Sequence, residues 1–228
     1  MSPTSSLSGQ PNSTESFYHS VCKNFAVHAR TSITFAGTVT TIRGGDIGVS
    51  PGTSITGNYQ FDGEEGRDDS ADFAASVLVA YAEAIAFHVD EKPMAIEIGG
   101  LTFTPGTYRS GSAINLALDT MVTLDGDGQY LFIAGETLIT AADTSFNLTN
   151  GAKAENVLWA LGSAASLGAR SVVEGSILSG TAITFGTQSK LHGCALAQSA
   201  VTFACEETDA LNHYVLDQAA GSDRRLRG

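Results

Sequence analysis

SAASLGARSVVEGSILSG (163–180) is followed by TAITFGTQSKLHGCALAQ (181–198) and SAVTFA (199–204), and the three align end to end without a gap. Leu167, Phe185 and Phe203 share one column at equal intervals, and Gly168 and Gly186 fill the next. Ser171 and Ser189, Val173 and Leu191, Gly175 and Gly193, and Leu178 and Leu196 follow. A period near 20 without helical spacing marks a β-solenoid, in which each coil buries its apolar side only when a neighbour stacks on it.

Within each coil the side chains alternate in and out. Ile183 and Phe185 point to the core, so Ala182 and Thr184 point away from it. The phrase Thr181-Ala-Ile-Thr-Phe185 returns as Thr31-Ser-Ile-Thr-Phe35, Thr53-Ser-Ile-Thr56 and Ser199-Ala-Val-Thr-Phe203. The outward positions are therefore Ser32, Thr34, Ser54, Thr56, Ala164, Ser166, Ala182, Thr184, Ala200 and Thr202, and all ten are Ala, Ser or Thr. On a surface about 25 to 35% charged, ten uncharged positions arise by accident only about 3% of the time. The bland reading, Thr as a good exposed strand residue, explains the Thr but not the missing charge.

The bulk numbers agree with one β-rich domain. The 228 residues are 43% apolar, with 25 Gly and 5 Pro. A formal charge of −12 repels phosphate backbones and anionic lipid heads, so neither nucleic acid nor membrane is an expected partner. Residues 1–20 and 217–228 are polar and read as a flexible N-terminal arm and a mobile tail flanking a single domain at 21–216. The stretch from Met1 to Ser20 lacks the positive start and apolar run of a secretory leader, as a processed mature chain would.

One segment breaks the β pattern. Phe73, Val77, Tyr81, Ala84, Ile85 and His88 recur at three- and four-residue steps, which predicts one long amphipathic helix over about 70–91, with Asp69 as N-cap and Pro93 forbidding continuation. Such a rod, about 30 Å long, could lie along about six stacked coils.

Signals for chemistry are weak. Asp125-Gly-Asp127-Gly reads as a Gly-rich turn between strands, not a calcium loop, and the acidic run Asp62, Glu64, Glu65, Asp68 and Asp69 as a solvated loop before a helix. His19, His28, His88, His192 and His213 show no metal-ligand spacing, and no nucleophile elbow or phosphate loop is present. No enzyme, cofactor or metal is expected. Asn12-Ser-Thr14 and Asn147-Leu-Thr149 fit the N-glycosylation pattern, but a Ser- and Thr-rich chain throws up such triplets by chance. Cys22, Cys194 and Cys205 allow at most one internal disulfide, and a stack of coils with a packed helix should not need it, so all three thiols are expected free.

Phe25-Ala-Val, Gly45-Asp-Ile-Gly-Val-Ser-Pro-Gly-Thr-Ser-Ile-Thr-Gly57, Leu101-Thr-Phe-Thr-Pro-Gly-Thr-Tyr108, Val122-Thr-Leu-Asp-Gly126, Tyr130-Leu-Phe-Ile133, Asn156-Val-Leu-Trp159 and the closing repeat run in order from Phe25 to Phe203. Together they resemble the microbial ice-binding (antifreeze) proteins of polar algae, fungi and bacteria. The resemblance implies a discontinuous β-solenoid of roughly triangular section with a long helix alongside, and ice adsorption through one flat face. It also implies secretion, and a monomer is expected. Members often carry a longer insert after the first coil, where this chain has only Gly57 to Ser70 before the helix. The implied ice-contacting set is Ser32, Thr34, Ser54, Thr56, Ser166, Ala182, Thr184, Ala200 and Thr202. A carbohydrate-binding or adhesive solenoid is the alternative, followed by a polysaccharide-degrading enzyme. Sugar binding usually recruits exposed aromatics, however, and Trp159, the only Trp, sits in the apolar run NVLWAL.

Overall fold

The computed structural model describes residues 22, 25–61, 70–88, 90–204 and 215–217. The N-terminal arm, the acidic run at 62–69 with its Asp69 cap, and most of the C-terminal tail lie outside these. The rest forms parallel sheets wound into a solenoid of three faces.

The first face runs, in stacking order, β3 (Asp46–Val49), β1 (Phe25–Ala29), β19 (Ala195–Ala197), β16 (Ser176–Ser179), β13 (Val157–Leu161), β10 (Tyr130–Ala134), β7 (Gly106–Ser110) and β5 (Glu91–Pro93). The second runs β4 (Ser54–Phe61), β2 (Ser32–Arg43), β20 (Ala200–Ala204), β17 (Ile183–Phe185), β14 (Ala165–Leu167), β11 (Leu138–Thr140) and β8 (Ile114–Leu116). β2 and β4 shift register between Phe35 and Thr40 and continue onto the third face. There they meet β21 (Val215–Asp217), β18 (Lys190–His192) and β15 (Val172–Glu174). The bond from Val172 N–H to Thr144 O (2.8 Å) leads on to β12 (Ser145–Thr149), β9 (Met121–Asp125) and β6 (Thr102–Phe103). The stack is discontinuous: β1 and β2, made first, pair with β19 and β20, made last of the coils they close.

The columns read from the sequence are register columns in the fold. Leu167 pairs with Phe185 and Phe185 with Phe203, and Val173 pairs with Leu191 and Leu178 with Leu196. Inside the solenoid these columns become ladders of rings. Phe185, Phe203 and Phe35 stack at 4.5 and 4.8 Å, and Phe132 lies 4.3 Å from Trp159. Trp159 is fully buried and its indole N–H donates to Glu174 O at 2.9 Å, so it belongs to the core as its apolar run implied.

The helix α1 spans Ser70–Ile85, shorter than the predicted 70–91. Its 16 residues make about 24 Å of rod, and Phe73, Val77 and Ala84 are buried against Phe25, Leu131, Leu158, Leu178 and Leu196 of the first face. That burial explains why β10 and β13 are buried along their whole length instead of alternating. The early stop has an identifiable cause. Arg109, on β7, donates to Ile85 O (3.0 Å) and Phe87 O (2.8 Å) and pairs with Glu91 (2.5 Å), satisfying carbonyls that a helix end leaves open. His88 consequently leaves the apolar stripe assigned to it. Its side chain is 68% exposed and bonds Glu91 at 3.0 Å.

The expectation of three free thiols is wrong. Cys22 and Cys194 form a disulfide, with Cα atoms 5.8 Å apart and a sequence separation of 172. Pairing of β1 with β19 aligns Val27 with Ala195, which brings the segment before β1 beside Cys194. The pairing joins positions remote in sequence and has no local signal. Cys205 itself lies outside the described residues.

Candidate functional site: the second face

The second face is closely stacked at both its borders. Where it meets the first face, a Cβ on Gly162 would sit 2.1 Å from Gly135 O, and one on Gly135 would sit 2.4 Å from Gly111 O, so only glycine fits at these two positions. Where it meets the third face, Asp119, Asp143, Arg170 and Gln188 all adopt left-handed backbone with φ between 57° and 60°. The residue after each, Thr120, Thr144, Ser171 or Ser189, donates its hydroxyl to the carbonyl three residues back, at 2.7, 3.4, 2.6 and 2.8 Å. Asp143 and Arg170 add an ion pair at 2.6 Å across adjacent turns. The arginine's hydrogen bonds hold the Asp143 carboxyl below the ordinary range. Both corners are thus repeated turns of fixed shape, and the strands between them are held in line.

Register sets the outward residues in rows. Thr56 pairs with Thr34, Thr34 with Thr202, Thr202 with Thr184 and Thr184 with Ser166. Ser54 pairs with Ser32 and Ser32 with Ala200, while Ala182 O accepts from Ala165 N–H (2.9 Å) one place before the Thr184–Ser166 pair. Inward between the rows Ile33, Val201, Ile183 and Ala165 are buried, as the alternation required. All nine expected residues, and Ala164, therefore lie on one face, none of them buried among the described residues, at strand spacings of about 4.8 Å.

Sequence reasoning missed the continuation of the rows. Ser166 pairs with Ile139 and Ile139 with Asn115, so the row runs on into β11 and β8. Ile139 is 45% exposed. The signal was hidden because GETLITAAD (135–143) and GSAINLALD (111–119) do not carry the Thr-rich phrase, although their αL aspartates stand in the same place. The first charge in the row is Glu97, bridged to Asn115. Its carboxylate accepts from Gly99 N–H (2.9 Å) and Ala117 N–H (3.0 Å), closing the end of the stack.

The other faces differ. The first lies under α1. The third carries Arg43, Lys190, Glu174 and His192, the last two joined at 2.8 Å, and Thr149 and Asn150 both bond the Asp125 carboxylate. Asp125-Gly-Asp127-Gly is a turn from β9 to β10, with Gly126 at φ 118° over Pro105. His28 is buried edge-on to Phe25 and Phe73, and among the described residues no group of His, Cys, Asp and Glu could hold a metal ion. No described helix is long and apolar enough to cross a membrane.

Fold and face together define a class: discontinuous parallel β-solenoids with a helix along one side and one face bearing a row of Thr and Ser in register. The sequence profile of the ice-binding-like family matches residues 27–208, and the chain belongs to that family. It is 28% identical over 181 residues, 71% of its length, to an ice-binding protein of Flavobacterium frigoris (strain PS1). It is 36% identical over 141 residues, 58% of its length, to one of Nostoc sp. (strain HG1). These matches span 64% and 51% of the two relatives' own lengths. The crystal structure of an ice-binding protein from the Antarctic ascomycete Antarctomyces psychrotrophicus superposes with a TM-score of 0.76 at 33% identity. That match covers 87% of this chain and 96% of that one.

Proposed function

We propose that this chain is a non-enzymatic protein that adsorbs to ice through its second face and blocks growth and recrystallisation between adsorbed molecules. The observation that carries the reading is the row Thr56, Thr34, Thr202, Thr184 and Ser166, in unbroken register, with no charged side chain in that row before Glu97. Thr offers a methyl and a hydroxyl on a stiff β-branched stem, so such a row holds ordered water with little loss of side-chain freedom. A charged side chain would orient water toward itself. Five strands at about 4.8 Å make a comb about 19 Å long, whose teeth can meet successive waters of a lattice.

The proposed contacts are Ser32, Thr34, Ser54, Thr56, Ser166, Ala182, Thr184, Ala200 and Thr202, with Ala164 and Ile139 extending the face. Secretion is part of the proposal and is supported by the disulfide, which forms in oxidising compartments. A monomer suffices, since one face holds the whole comb. Single ice crystals grown in the protein solution on a cold stage test the reading. Faceted crystals with halted growth support it, and round, freely growing discs at saturating protein overturn it.

A further inference from the structure

The triplet Asn147-Leu148-Thr149 lies on β12 of the third face, and the ice reading makes no use of it. Phe146 and Leu148 are half-buried and turn inward, Phe146 edge-on to Trp159 at 5.6 Å, while Asn147 between them is exposed. Its pairing partner is Thr123, which pairs in turn with Thr102. The amide therefore stands on a polar surface, with Thr123 on one flank and Glu174 of β15 on the other, away from both the helix and the second face. The secretion proposed above, which the Cys22–Cys194 disulfide supports, takes the folding chain through an oxidising compartment, where secretory glycosylation also takes place.

We propose that Asn147 is an N-glycan attachment site. The acceptor is the side-chain amide nitrogen, and the donor is a lipid-pyrophosphate-linked oligosaccharide. The nitrogen attacks C1 of the first sugar and the C1–N bond forms as the C1–O bond to pyrophosphate breaks. The amide gives up one proton and the lipid pyrophosphate leaves, with no change of oxidation state. In the finished fold the Thr149 hydroxyl is tied to Leu124 O (3.2 Å) and Asp125 Oδ1 (3.0 Å), and residues 145–149 are paired along β9. A transferase that must bend the triplet and read that hydroxyl therefore acts before β12 pairs. Once attached, the sugar projects from the third face and leaves the second clear.

The test is secretion of the full chain from a yeast or insect host, with intact mass before and after peptide N-glycosidase and peptide mapping of both triplets. The expected result is an enzyme-removable mass on the peptide containing Asn147, absent from Asn147→Gln and Thr149→Ala. The glycosylated protein should also inhibit recrystallisation at the same concentration as bacterially made, sugar-free protein. An unmodified Asn147 peptide in secreted wild-type protein, or sugar on Asn12 alone, overturns the assignment without need of any variant. Glycosylated protein that has lost the activity its sugar-free form shows overturns the placement of the sugar clear of the second face. Folded, sugar-free protein incubated with transferase and donor should stay unmodified, and its modification would overturn the order of events.

Discussion

Cys22 is bonded to Cys194, and the bond fastens the chain ahead of β1 to the coil on which β1 is stacked. It closes a loop of 172 residues, so in the chain-entropy account it stabilises the fold by up to about 5 kcal/mol. Reduction, or the pair Cys22→Ser and Cys194→Ser, should lower the melting temperature by several degrees and leave cold-temperature ice activity in place. Thiol titration of the denatured, unreduced chain should find one sulfhydryl, and finding three would remove the crosslink from the account.

Thr184 and Thr202 face outward on paired strands, with Ile183, Phe185, Val201 and Phe203 buried on either side. Replacing either threonine with tyrosine raises a ring off the flat face without touching the core. Most recrystallisation inhibition should disappear while stability changes by no more than about 0.5 kcal/mol. Unaltered inhibition with unaltered circular dichroism would move the site to another face.

Ile183 is fully buried between neighbouring coils. Ile183→Ala should cost about 2 to 5 kcal/mol through the cavity it opens, read as a shift in the urea midpoint with little change in slope. A midpoint equal to wild type would mean that the inward assignment of this strand is wrong.

The proposed contacts include no titratable side chain. Ice activity should therefore stay flat from about pH 5 to pH 9, across the range where histidine changes charge. Stability behaves differently at the acid end. The Asp143 carboxyl is held below its ordinary value by Arg170, so the ion pair's contribution is complete above the unfolded carboxyl's range and is lost as pH falls through the folded value. The pair is exposed, so the loss is small. A steep change in crystal shape near neutral pH would overturn this set of contacts.

The solenoid was legible where its coils are equal. The register step from Ala165 to Ile183 equals that from Ile183 to Val201, and the period shows in the sequence. The steps from Ile114 to Leu138 and from Leu138 to Ala165 are longer and differ from each other, because β9 and β12 are longer than β15 and the connections after them, 126–129 and 150–156, are longer than the single Gly175 that follows β15. Unequal coils stack in register through backbone bonds without leaving a period, so Ile139 and Asn115 escaped notice. Two further features depend on partners remote in sequence. Arg109 ends the helix from 24 residues away, and the disulfide exists only because the last coil returns to meet the first. The in/out alternation was readable because it is a local property of each strand.

That return has a consequence for how the molecule comes into being. β1 and β2 leave the ribosome early, yet their pairing partners β19 and β20 are made only after all the coils between. The coils from β7 to β18 can stack on one another as they emerge, but the opening coil has nothing beneath it until β19 and β20 arrive. Ile33 and Phe35, both core residues, stay uncovered on that side for the interval. The cover of the opening coil is thus completed only by strands made far later in the chain, a non-local closure of the kind that slows folding.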